Sequence, residues 1–91
     1  MEFTIEVKID KKLYRMQVTP LGEMNGKDRY RVKGGKREVI MENDRPSSKN
    51  HGRPVPIIWE IEGGQKIRYD QNIYEVGRAI EKYMREHEYW N

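Results

Sequence analysis

The chain of 91 residues contains no cysteine. That one absence removes disulfides, thiolate metal sites and thiol nucleophiles together, and it suits a reducing compartment. Long apolar runs are missing as well. Nothing approaches the roughly 20 consecutive apolar residues that span a bilayer as a helix. The charged residues that alternate after Met1 leave no apolar signal-peptide core. The expectation is a soluble, cytoplasmic protein. Apolar residues make up 35% of the chain and charged residues 36%, a balance that in a chain without aromatics would favour disorder. Two Trp and six Tyr, set in orderly alternation, argue instead for one small folded domain over residues 1–91.

Catalytic constellations are equally scarce. The only serines, Ser47 and Ser48, stand in a polar stretch that offers a nucleophile no rigid platform. The histidines, His51 and His87, have no ligand spacing around them, so neither a metal site nor a cofactor is expected. Glu60 and Glu62 lie two apart on a strand pattern, which is ordinary for a solvent face. The run KGGK (33–36) lacks the spacing of a phosphate loop and is followed by no helix, so a tight turn explains its glycines. The chain is not expected to be an enzyme.

What is present is a strand pattern. Phe3, Ile5, Val7 and Ile9 alternate with Thr4, Glu6 and Lys8, and Tyr14, Met16 and Val18 repeat the period. A turn at Lys11-Lys12 would set Ile9 against Tyr14 and Val7 against Met16. TPLGEMNGKD (19–28) reads as a connecting loop from its Pro, Gly and Asn-Gly. In RYRVKGGKREVI (29–40) a two-residue turn at Gly34-Gly35 would pair Tyr30 with Val39 and Val32 with Arg37. Tyr30, Val32, Val39 and Met41 then share one face, and Ile40 falls among the cations on the other. Residues 43–54 form a polar stretch of the kind expected to be a mobile loop. Val55, Ile57, Trp59 and Ile61 mark another strand, with Pro56 pointing to an edge. A three-residue turn, Gly63-Gly64-Gln65, would return the chain so that Ile67 and Tyr69 oppose Ile61 and Trp59. At the C-terminus Ile73, Val76, Gly77, Ile80, Tyr83, Met84 and His87 make one helical stripe over 73–88, with Asn72 and Glu75 as a capping box. The expected fold is α+β: an antiparallel meander of about five or six strands with one C-terminal helix packed on one sheet face.

Charge narrows the function to binding. Residues 27–53 hold nine cations and four acids, whereas residues 54–91 hold five cations and seven acids. A protein-interaction or self-associating module is the first expectation. Its motive is surplus apolar material, namely Ile40 and Ile58 on the nominally polar face and Tyr89-Trp90 beyond the helix. The alternative is weak, sequence-independent binding of nucleic acid or another polyanion. It would run through Arg29, Arg31, Lys33, Lys36 and Arg37 of the ribbon, with Arg45, Lys49 and Arg53 beside it. Neither a membrane nor a small-molecule substrate is indicated.

Overall fold

A computed structural model describes residues 1–48, 57–62 and 70–90. Among them five strands form one antiparallel sheet in sequential order: β1 (Phe3–Ile9), β2 (Lys12–Met24), β3 (Lys27–Gly34), β4 (Arg37–Asn43) and β5 (Trp59–Ile61). A single turn of helix, α1 (Arg45–Ser48), follows β4, and α2 (Asp70–Glu86) closes the described chain. The α+β meander with one C-terminal helix is therefore the fold.

Both expected hairpins form, each with its turn displaced by one residue. In the first, Asp10 and Lys11 take φ of 50° and 68°, so Ile9 faces Lys12 and Val7 faces Tyr14. Asp enters the left-handed region more readily than Lys, which moves the turn back to include it. In the ribbon the turn is Gly35-Lys36, with Gly35 at φ 59°, so Val32 faces Val39 and Tyr30 faces Met41. A turn of this hand needs glycine only at its first position. Gly34 is thereby left to end β3, where an added Cβ would lie 3.2 Å from Met16 Cγ. Moving a turn by one residue shifts the pairing by two, so every side chain keeps its face.

The stretch 19–28 is not a loop. It is the second half of β2, an Asn25-Gly26 turn with both residues at positive φ, and the start of β3. The ladder passes Pro20 opposite Tyr30, then jumps to Gly22 opposite Arg29, leaving Leu21 as a bulge. Proline cannot donate to the ladder and Gly22, at φ 91°, tolerates the kink, so a bulge here absorbs both breakers.

Of residues 43–54, Asn43 is fully buried at the end of β4 and accepts a hydrogen bond from the Arg45 amide at 2.9 Å, which opens α1. The first half of the expected loop is thus the end of a strand and a turn of helix, and residues 49–54, with Lys49 and Arg53, lie outside the described residues. So do Pro56, the turn expected at residues 63–65, and Ile67 and Tyr69.

Phe3, Ile5, Val7, Val18, Tyr30, Val32, Met41 and Trp59 line the inner sheet face and are buried with Val76, Ile80, Met84 and Trp90. Two contacts position α2 across that face. The Phe3 and Tyr83 rings stack with centroids 3.9 Å apart. At Gly77 a Cβ would fall 2.5 Å from the Trp59 ring, so the indole occupies the notch that glycine leaves. The helix begins at Asp70, which puts Asn72 inside its first turn rather than ahead of it. It ends earlier than the apolar stripe suggested, and His87 is exposed with its ring stacked on Tyr83. Beyond Glu86, the Glu88 amide donates to the Arg85 carbonyl at 3.1 Å and the Tyr89 amide to the Met84 carbonyl at 2.9 Å, with Glu88 at φ 61°. This is a Schellman ending with glutamate where glycine is usual. It reverses the chain so that Trp90 returns to the core, only 7% exposed, while Tyr89 stays in solvent. Trp90 is thus core material and not surplus.

Candidate functional site

Because α2 covers one sheet face, most charged residues of the ribbon project from the other. Arg29, Arg31 and Lys33 share that outer face, as alternation required. Two of the three are already engaged. Arg31 Nε lies 3.0 Å from Glu38 Oε1, and Arg29 forms an ion pair with Glu62. Lys27 reaches Glu60 at 4.0 Å, and on β1 and β2 Glu6 pairs with Arg15 at 3.1 Å. Glu60 of β5 and Glu62 just after it thus act as counter-ions to β3, reaching over β4. The alternating Glu60 and Glu62 signalled this in the sequence, but their target depended on the strand order.

Arg45 sits apart from the ribbon, on α1. It pairs with Asp28 at 3.6 Å, both side chains being mostly buried, and its guanidinium lies 4.6 Å from the centroid of the Trp90 ring. Its role is to seat Trp90, a cation–π contact in a partly dry site. The Trp90 and Tyr30 rings meet edge to face at 6.5 Å, and the Trp59 ring lies 5.5 Å from Tyr30. Burial, followed by the nearby Asp28 carboxylate, pushes the Tyr30 phenol up to about 12. Glu81 approaches this cluster from α2 and is only 7% exposed. Burial raises its carboxyl above the ordinary range, opposed by Arg85 and Arg78. The Trp59 indole N–H lowers it slightly without closing to a full hydrogen bond.

Cations without an ion pair among the described residues gather elsewhere. Lys11 and Lys12 stand at the tip of the first hairpin, and Lys33, Lys36 and Arg37 at the tip of the ribbon. Both tips lie at the same end of the sheet, beside the start of α2. Lys33 is on the outer face, Lys11 and Lys36 are in the turns, and Lys12 and Arg37 are on the inner side. Exposed Leu13 and Tyr14 stand between the two tips. Beneath them a cavity of about 580 Å³ opens between sheet and helix, lined by Ile9, Met16, Val39, Met41 and Ile73, with Arg37 also in its wall. Glu2, Glu23, Glu42, Asp44 and Glu88 lie towards the opposite end of the sheet.

The two isoleucines do not form a patch. Ile40 is half-buried on the outer face opposite Arg31, whereas Ile58 is 57% exposed beyond β5. By strand register they stand about 14 Å apart, with Glu42 and Glu60 between them.

The edge of β1 offers a different surface. Among the described residues β1 pairs only with β2, over all seven of its residues, without proline or bulge. Ile9 and Lys12 flank a two-residue turn, so they exchange both backbone hydrogen bonds, as do Val7, Ile5 and Phe3 with their partners. The N–H and C=O groups of Thr4, Glu6 and Lys8 consequently point to the open side.

No family model, no curated protein and no solved structure matches this chain. No helix among the described residues is long and apolar enough to cross a membrane.

Proposed function

We propose that this chain is a non-enzymatic interaction module that associates with itself through the edge of β1 that no described residue pairs with. The observation that supports this reading is the self-complementarity of that edge. Set antiparallel to a second copy with Ile5 opposite Ile5, the strand pairs Phe3 with Val7, Thr4 with Glu6 and Glu2 with Lys8, each twice. The outward-facing backbone groups fall on Thr4, Glu6 and Lys8, where this register needs its hydrogen bonds. An unprotected strand of this length is a template for pairing. The registers one step to either side are unequal. Glu6 opposite Glu6 brings like charges together, which is destabilising. Pairing through a single edge strand makes a small interface beside the roughly 1,200–2,000 Å² of a specific, stable complex, so the association is expected to be weak and concentration-dependent. The outer face is a poorer protein interface, because its centre is charged and already ion-paired. A cytoplasmic setting belongs to the same reading, supported by the lack of cysteine.

Sedimentation equilibrium over a wide concentration range tests it. The wild-type chain shows a monomer–dimer equilibrium, and Thr4→Pro, which removes an amide directed to the open side, is monomeric with nearly unchanged Tm. Lys8→Glu weakens the dimer about tenfold, and adding Glu2→Lys restores it. A chain that stays monomeric throughout, or a Thr4→Pro variant that dimerises as before, overturns the reading.

A further inference from the structure

We infer that the hairpin-tip end of the sheet is a second binding site, for the phosphodiester backbone of a single-stranded nucleic acid. Alternation along the sequence puts the basic segment on a ribbon face, but Arg29 and Arg31 on that face are held by Glu62 and Glu38. A phosphate would have to displace those carboxylates. The tip cations Lys11, Lys12, Lys33, Lys36 and Arg37 form no ion pair among the described residues; Glu38, which faces Lys33 across the ladder, is held by Arg31, and Asp10 shares the first turn. Their charge is therefore available, whereas Lys27, Arg29 and Arg45 towards the other end are each paired with an acid.

The shape of the patch selects the ligand. It starts on the outer face at Lys33, passes through the turns at Lys36 and Lys11, and ends on the inner side at Arg37 and Lys12. The two tips are two strands apart sideways and, by register, about four residues apart along the strands, about 16 Å in all, and each tip carries two consecutive cations, Lys11-Lys12 and Lys36-Arg37. A flexible single strand can bend around this rim and meet cations on both sides of the sheet. A duplex, stiff over about 150 base pairs, can touch one side only, and so can a flat bilayer. Tyr14, 42% exposed between the tips, supplies a ring on which a base can stack. Isolated lysines and one ring give weak, nearly sequence-independent binding.

The experiment is fluorescence anisotropy with a labelled oligothymidylate of about 20 nucleotides, at several salt concentrations. With four or five phosphates neutralised, log K falls against log salt with a slope of about −3. The triple variant Lys11→Gln, Lys12→Gln, Lys36→Gln reduces the magnitude of that slope by about 2. Arg31→Gln leaves slope and affinity unchanged. Tyr14→Ala weakens binding about fivefold or more, with a thermal melt confirming that it is folded. Thr4→Pro binds the oligonucleotide as the parent does, which separates this site from the β1 edge. Absence of binding at about 50 mM salt, equal loss in Arg31→Gln, or an unaltered slope in the triple variant each overturns the inference. So does tighter binding to the duplex of the same length, or binding confined to vesicles of anionic phospholipid.

Discussion

At the scale of single residues, two positions on α2 carry the argument about packing. Gly77 is a helix-interior glycine, which on propensity alone costs about 1 kcal/mol relative to alanine. Trp59 reverses that preference, because any Cβ at 77 would lie 2.5 Å from the indole. Gly77→Ala is expected to lower stability, since overpacking costs about 1–3 kcal/mol and the rigid ring cannot move without disturbing Tyr30. Equilibrium urea unfolding decides it, and an equally stable variant would mean that Trp59 is not seated there. Glu81 makes the second case, and it is one of pH. Its folded-state pKa lies above the unfolded value because burial penalises the charge. The folded state therefore holds the proton more tightly, and Glu81 costs stability at neutral pH that is recovered as pH falls through its folded value. Glu81→Gln should melt above the parent at about pH 7, with the gap closing towards pH 4.5. A gap independent of pH would assign the cost to something other than ionisation.

At the scale of elements, the strands were legible because a period of two survives any two-residue error of register. Phe3, Ile5 and Val7 point inward whether Ile9 meets Tyr14 or Lys12. Turn positions were less legible, since they depend on which residue accepts positive φ, and Asp10 and Gly35 decided that. Pro20 and Gly22 read as breakers in the sequence, whereas in the sheet a bulge at Leu21 accommodates both. Asn25-Gly26 was the stronger signal, a two-residue turn within an otherwise strand-like stretch. The ending of α2 was hidden for a related reason: Glu88 occupies the left-handed position where glycine would have announced a reversal. Glu88→Gly should therefore stabilise the protein by about 1 kcal/mol, a rise in Tm of about 4–8 °C. Trp90→Ala should lose about 3–5 kcal/mol, because it empties the pocket under Arg45. If Trp90→Ala melts like the parent, the reversal after α2 contributes nothing to the fold.

At the scale of the whole molecule, charge could be counted along the sequence but not assigned. Whether an arginine is available depends on the strand that comes to lie beside it, and Glu60 and Glu62 reach β3 only because β5 follows β4 in the sheet. The proposed polyanion site accordingly lies at the tip of the ribbon, with Lys33, Lys36 and Arg37, while Arg29, Arg31 and Arg45 are engaged by Glu62, Glu38 and Asp28. Antiparallel pairing through β1 would put the two cationic ends on opposite sides of the dimer, so each copy would engage its strand independently.

The aromatic cluster that closes the core has an optical consequence. Tyr30 lies within 5.5 Å and 6.5 Å of the chain's only two tryptophans. At such separations light absorbed by the phenol passes to the indoles before it can be emitted. Trp59 comes from the last described strand and Trp90 from beyond the helix, so they meet Tyr30 only when both have docked. The intrinsic emission of the unlabelled protein thus reports assembly of the whole fold, and the near-ultraviolet circular dichroism of the cluster should be lost in the same transition on unfolding.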